Sequence, residues 1–348
     1  MPVGCASHSY SITHRGGGFV TGSGVLTEVQ YNRVLDDNST ARVTIGVSGP
    51  DCCAELGSVR TWAQTLNIYR GGAFMWSGPI TNIDYSFNEV TVEATDIIGL
   101  LDRRVPHQNF TFTGTDIADI AAALIEDGLA PDDPGHTVTI IGPSGVTGGR
   151  AYSTGIGQTA DHLRDLADAG IDFTAVGNNI VILPEDHCDV VGRLADEDLP
   201  DGLTVSEDGA ALATRWVVAG SEPSGAVGTA GGVDAYYGLL ERYVEQTSIT
   251  DQPSAQAVAE AKLRASAQSP VFIDTQNVTL SPTANVNVAD LVPGWCVDIT
   301  SDSTCRTVTQ RLKITGLQVT EDGGDGDTPG QERILVQVAA SGSEGSVI

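Results

Sequence analysis

The sequence predicts a mainly β protein with an α+β insertion, its β parts forming two small antiparallel barrel or sandwich domains. Three observations lead there. Apolar residues alternate with polar ones near both ends of the chain, in runs cut by Gly-Gly and Asn-Glu, which is the pattern of strand, turn and strand. Helical spacing is confined to Thr113–Ala169 and Pro253–Gln268. Aromatic residues make up only 5% of the 348 residues while glycine occurs 41 times, which suits short strands and many turns.

Taken in order, residues 1–61 read as an irregular lead-in followed by strands at Val25–Arg33 and Ala41–Val47, split by the turn-forming Asp36-Asp37-Asn38-Ser39. Trp62–Arg104 is the clearest stretch. Leu66 and Ile68, then Phe74 and Trp76, alternate around Arg70-Gly71-Gly72. Val90, Val92 and Ala94 do the same after Asn88-Glu89. Pro79 beside Gly78 predicts a bulge or an edge position. Asp96–Leu101 reads as one amphipathic turn ending at Asp102-Arg103-Arg104.

Composition changes after Pro106. Thr113 with Asp116 has the spacing of a capping box, and Ile117, Ile120, Ala121 and Leu124 share one helical face, with Gly128 as the stop. A second helix is expected over about Thr159–Ala169, burying Leu163, Leu166 and Ala167 and stopping at Gly170. Gly177-Asn178 predicts a hairpin between Ile171–Ala175 and Asn179–Leu183, with Val138–Ile141 as a further strand. Extended structure resumes at Val205–Gly220. An Ala-rich helix covers Pro253–Gln268, and strands follow at Val278–Leu280, Cys296–Ile299, Leu312–Thr320 and Arg333–Val338. The expected organisation is a β domain over 1–106, an inserted α+β domain over 107–203, returning strands and the Ala-rich helix over 204–269, and a second β domain with a loose tail over 270–348.

The net charge is −27, with 45 acidic against 18 basic residues and lysine only at 262 and 313. Gripping nucleic acid needs clustered cations, so a DNA-holding protein is excluded, whereas a negative wall past which DNA slides is not. No apolar run reaches the roughly 18 residues of a membrane span. Met1-Pro2-Val3-Gly4 lacks the basic start and apolar core of a signal peptide.

Chemistry-bearing motifs are few. Six cysteines without CxxC spacing suggest neither zinc nor a disulfide framework. Cys296 and Cys305 are placed to face each other across a hairpin, with buried free thiols as the plainer reading, and Cys52-Cys53 read as ordinary core or interface residues. Gly155-Ile156-Gly157 opens a helix but lacks the βαβ setting of a dinucleotide loop, so no cofactor is predicted. Asp322-Gly323-Gly324-Asp325-Gly326-Asp327 clusters carboxylates without the closing Glu of a calcium loop and reads as a solvated hairpin. His8, His14, His107, His136 and His162 have no zinc-helix spacing. Were the chain an enzyme, Asp186, His187 and Cys188 would be its candidates, and a wall hydrolase its class. A glycan-binding module would need aromatic platforms, and the four Trp are widely spread. No catalytic, cofactor or metal residue is therefore assigned.

The segments "YRGGAFMWSGPITNI" (Tyr69–Ile83) and "ATDIIGLLDRR" (Ala94–Arg104), with "VQYNRVLDDNSTARVTI" (Val29–Ile45) before them and "LVPGWCVDI" (Leu291–Ile299) far after, resemble the tail-hub minor tail proteins of long-tailed double-stranded DNA phages. The resemblance covers most of the chain in order. It implies two tube-like domains per subunit and a ring, as a homotrimer presenting six similar units to a six-fold tail. It also implies a hub without an active site, located at the virion tail tip and assembled in the host cytoplasm. The partners it implies are copies of the chain itself, the distal tail protein, the tape-measure protein and tail fibre or tip proteins, with DNA only in transit and no stable membrane insertion. Some relatives carry a peptidase or lysin after the hub; here the sequence stops soon after the last β unit. Arg103-Arg104 is expected to meet a neighbouring subunit's carboxylates or to form ordinary surface pairs.

Overall fold

The computed structural model describes residues 7–23, 26–47, 55–202, 205–207, 212–220, 225–266, 271–273, 278–281, 284–303, 308–322, 331–340 and 346–347. It opens with a hairpin, β1 (His8–His14) and β2 (Phe19–Ser23), where the sequence suggested an irregular lead-in. The alternation Tyr10, Ile12 is there but spans too few residues to announce a strand. β3 (Glu28–Val34) and β4 (Thr40–Gly46) follow as expected, then β5 (Gln64–Arg70), β6 (Ala73–Tyr85) and β7 (Glu89–Thr95). Gly71 and Gly72, at φ 56° and 82°, make the β5–β6 turn that a side chain would strain.

β6 is the hinge of the sheet. Its first half pairs with β5 and its second half with β7, and the register slips between Ile80 and Asn82, beside Pro79. A Cβ on Gly78 would lie 1.8 Å from the Thr95 carbonyl oxygen, so glycine is what lets β6 cross the end of β7. The short α1 (Ile98–Leu101) is wholly buried.

The insertion contains β8 (Phe110–Asp116), α2 (Ile117–Leu129), β9 (Thr137–Ile140), β10 (Thr147–Tyr152), α3 (Thr159–Ala167), β11 (Ile171–Val176) and β12 (Asn179–Pro184). Two sequence expectations are corrected here. Thr113 lies in β8, and Asp116 caps α2 by accepting from the Ala118 N–H at 2.9 Å. Gly128 does not stop α2. It sits in the last turn, where a Cβ would press on Thr159 and Leu101, so its smallness serves helix packing. The Gly177-Asn178 hairpin is as expected, and β9 adds to β12 in parallel.

The chain then makes β13 (Val190–Ala195), β14 (Val205–Glu207), β15 (Arg215–Gly220), β16 (Val227–Gly231), β17 (Glu241–Gln246), α4 (Gln252–Ser266), β18 (Val271–Ile273), β19 (Val278–Thr279), β20 (Cys296–Ser301), β21 (Val308–Asp322), β22 (Glu332–Ala340) and β23 (Ser346–Val347). The strands of the two chain ends meet: β21 pairs antiparallel with β3 over seven residue pairs, and the sheet runs β13-β20-β21-β3-β4-β7-β6-β5-β1-β2 without closing on itself among the described residues. One apolar core, including Tyr31, Val43, Val92, Ile299, Ile314 and Val319, belongs to both ends. A second core joins α1, α2, α3, the β11–β12 hairpin and α4. The fold is mainly β with helices confined to the middle.

Candidate assembly surfaces

The residues singled out as enzyme candidates fall at the joint between the sheet and the insertion, not in a cleft. Cys188 is disulfide-bonded to Cys296 across 108 residues. That corrects three expectations: Cys296 does not pair with Cys305, neither thiol is free, and Cys188 is no nucleophile. Cys305 and the Cys52-Cys53 pair lie outside the described residues. The two bonded cysteines are brought together because β13 lies parallel to β20, a long-range pairing that spacing alone does not reveal. His187 sets its ring edge-on to Trp295 at 5.5 Å, and burial lowers its pKa. The space lined by Glu185 and Asp186 measures about 10 Å³, room for about one water and none for a substrate.

The same joint holds a buried charge network. Lys313 of β21 contacts the Asp172 carboxylate of β11 and donates to the Glu185 carbonyl at 2.7 Å. Asp36, at φ 62°, exchanges hydrogen bonds with Phe173: its amide donates to the Phe173 carbonyl and its carboxylate accepts from the Phe173 N–H, both at 2.9 Å. Burial, then the facing Asp172 charge, pushes the Asp36 carboxyl up to about 8; burial raises Asp172 as well, and the Lys313 charge draws it back down. Arg164 of α3 closes the rim on Asp37 at 2.7 Å and Asp102 at 3.0 Å. This network fixes the insertion on the sheet and offers nothing for a substrate to reach.

Asp96, after β7, is the second buried carboxyl. It accepts from the Ser39, Ile98 and Gly99 amides, and burial pushes it up to about 7. A carboxyl whose folded pKa lies above its unfolded value contributes stability that is complete below about pH 4 and lost as pH rises through about 7. Glu185, also raised to about 7 by burial, has the same sign. The expected result is an unfolding free energy that falls by a few kcal/mol, in order of magnitude, between pH 4 and 7. An Asp96→Asn variant flattens part of that slope in urea titrations at each pH; an unchanged slope shows that Asp96 ionises normally in the fold.

The other motifs are structural too. Gly155 and Gly157, at φ 72° and 79°, turn the chain into α3, and the His162 ring fills the place a phosphate would take: a Cβ on Gly157 would meet it at 2.6 Å. His162 also bonds the Ile156 carbonyl at 3.0 Å. Residues 323–327 of the acidic loop lie outside the described residues. Among the described residues no three His, Cys, Asp or Glu side chains gather as a metal would require.

What remains are surfaces. β2 ends one side of the sheet and carries Phe19, 70% exposed. Further exposed aromatics lie at the two opposite ends of β6: Phe74 beside the β5–β6 turn, and Tyr85 and Phe87, the last 96% exposed, at the β6–β7 turn. A separate projection lies between β16 and β17. There the Asp234 carboxylate accepts from the Tyr236 and Tyr237 amides at 2.7 and 2.8 Å, and Val233, Tyr236, Leu239 and Tyr243 stand exposed. β17 ends the small sheet β16-β15-β17 with most of its residues in solvent, while α4 packs on β16: a Cβ on Gly228 would collide with the Ala255 carbonyl. Apolar side chains on an ordered turn beside an open strand edge suit contact with another chain. By composition Gly225–Gly232 reads as a Gly/Ala/Thr loop and Tyr236–Val244 as leading into a strand; the structure places β16 in the first and β17 at the end of the second. A third surface is a polar cleft of 590 Å³ over β3, β4 and β7, bordered by Trp62 and Arg103.

No protein-family model matches the sequence, and no curated protein matches it. Solved structures do. A tail protein from Neisseria meningitidis superposes with a TM-score of 0.63 at 12% identity, covering 96% of this chain and 97% of that one. A 43 kDa prophage tail protein from Shewanella oneidensis gives 0.63 at 13%, covering 97% and 99%. A prophage tail protein from Listeria monocytogenes gives 0.60 at 10%, covering 96% and 95%. At such identities the likeness is one of fold, and it extends over nearly the whole of both chains: this chain has the fold of phage tail proteins.

Proposed function

We propose that the protein is a non-enzymatic structural component of a phage tail. More finely, we propose that it forms the oligomeric hub that closes the tail tube, connects it to the host-contacting tip and lets DNA pass. The observation that carries this reading is the end-to-end likeness of fold to tail proteins. In this reading the β-rich parts, 1–106 and 270–348, act as two similar tube-like units, and 107–203 and 204–269 brace them. A homotrimer then presents six units to a six-fold tail, with the distal tail protein, the tape-measure protein and fibre or tip proteins as neighbours at the tail tip.

Two physical features support it. Closing a ring needs complementary surfaces on every copy, and the open edges of β2 and β17 with their exposed aromatics are suitable ones. A net charge of −27 repels phosphate, as the wall of a DNA conduit should.

The test is the mass of the purified assembly by light scattering over a concentration series. Three or six copies is the expected result. A monomer at every concentration overturns the hub. The same preparation is expected to leave bacterial cell wall intact, and lysis would restore the wall-hydrolase reading.

A further inference from the structure

Lys313 and Asp172 touch inside the joint between sheet and insertion, on β21 and β11, 141 positions apart in the chain, and both side chains are buried. An ammonium and a carboxylate taken out of water are costly, and a buried pair sheds that cost by becoming neutral. The nitrogen is held in place. Lys313 Nζ also donates to the Glu185 carbonyl at 2.7 Å, and Leu312 and Ile314 on either side of it are buried in the sheet core. Asp172 is held as firmly, between buried Ile171 and Phe173 and opposite Leu183 in the β11–β12 ladder.

A third group lies against the pair. The Asp36 carboxyl hydrogen-bonds the Asp172 carboxyl. Two carboxyls share a hydrogen bond only through a proton, so the carboxyl that touches the lysine nitrogen also touches a proton carrier. Asp36 is itself fixed, by the two hydrogen bonds it exchanges with the Phe173 backbone. Its pKa, raised to about 8 by burial and by the Asp172 charge, lets it give and take a proton near neutral pH. A lysine nitrogen, a carboxyl and a proton carrier in mutual contact, in a buried joint, are the parts of a condensation.

We propose that Lys313 and Asp172 condense into an amide cross-link within the chain, with Asp36 relaying the proton. A proton first passes from the Lys313 ammonium to the Asp172 carboxylate, leaving an amine beside a carboxylic acid. The Nζ lone pair then attacks Asp172 Cγ, and the Nζ–Cγ bond forms. Asp36 gives its proton to the departing hydroxyl and takes one from the nitrogen, the Cγ–O bond breaks, and one water leaves. Nothing is oxidised or reduced, no co-reactant enters, and Asp36 ends as it began. Groups held in contact react at an effective concentration that free ones never reach, and a joint closed to bulk water disfavours the reverse hydrolysis. The amide lies next to the Cys188–Cys296 disulfide, because Cys296 is the register partner of Lys313 on β20. Insertion and sheet are then fastened twice.

The test is the intact mass of the full chain, unfolded with its disulfide reduced, followed over time after refolding at neutral pH. Wild type is expected to become lighter than its sequence by one water, and its digest to yield a branched peptide joining the Asp172 and Lys313 segments. Lys313→Arg keeps the positive charge without the amine and is expected to stay at full mass. Asp36→Asn, which tolerates φ 62° as aspartate does, is expected to lose water about a hundredfold more slowly. Because it retains the unreacted ion pair, Asp36→Asn is also the parent in which the two charges alone are weighed. Should Lys313→Arg fail to fold, the branched peptide of wild type decides alone. Wild type that stays at full mass and gives no branched peptide overturns the proposal. A missing water that persists in Lys313→Arg belongs elsewhere, as in a cyclic imide at an Asp-Gly, and overturns it too. Asp36→Asn reacting at the wild-type rate overturns the relay.

Discussion

A Lys313→Met variant is expected to unfold with about 3–5 kcal/mol less free energy than the parent. The side chain is buried, and its ammonium is what balances Asp172, itself buried on the opposing strand. Removing the ammonium leaves a carboxylate in a dry setting beside Asp36, whose own carboxyl burial has already forced towards the neutral form. The Glu185 carbonyl loses its donor as well. The cost is therefore that of an orphaned charge, which far exceeds the net worth of the pair. Lys313→Met combined with Asp172→Leu should recover most of the loss, since replacing both partners by apolar groups is close to neutral. Urea unfolding midpoints at a constant slope measure both effects. A single-variant loss below about 1 kcal/mol would show that water reaches the pair as it reaches surface ion pairs.

The second large effect is covalent. Opening the Cys188–Cys296 bond, by reductant or by a Cys188→Ser, Cys296→Ser double variant, is expected to cost about 2–5 kcal/mol. The bond closes a segment of 108 residues that contains the whole β14–β18 region and α4, so its loss releases much chain entropy in the unfolded state. Reductant should lower the unfolding midpoint of wild type to that of the double variant and leave the double variant unchanged. Equal midpoints for oxidised and reduced wild type would show that the parallel β13–β20 pairing holds these strands without help.

Local patterns were legible, and long-range ones were not. Trp62–Arg104 announced β5, β6, β7 and α1, because Gly71-Gly72 and Pro79 punctuate a strong alternation. The Ile117, Ile120, Ala121, Leu124 stripe announced α2, and Gly177-Asn178 announced a hairpin. Each signal is confined to neighbours in sequence. β8 and β10 escaped notice because Gly114, Gly148 and Gly149 dilute their alternation, and their pairing with each other joins residues from Thr147 with Asp116 to Tyr152 with Phe110, far apart in sequence. β13 is half-exposed along most of its length and so shows little alternation. The cysteine pairing was missed for the same reason as the β21–β3 ladder: both depend on which strands the topology sets side by side. Of the surfaces, Arg103-Arg104 was noticed in the sequence, but Arg104 turns to Asp132 within its own chain.

The β21–β3 ladder has a consequence for how the protein is made. At bacterial synthesis rates of about 5–20 residues per second, Tyr31 leaves the ribosome roughly 15–60 s before Val319, its partner in the pairing. Throughout that interval β3 waits with one side bare, and the nascent polypeptides of a polysome hold many such bare strands close together. If copies join by their strand edges, as proposed, each must first close its own sheet, and changing the speed of translation is expected to change the yield of correctly paired subunits.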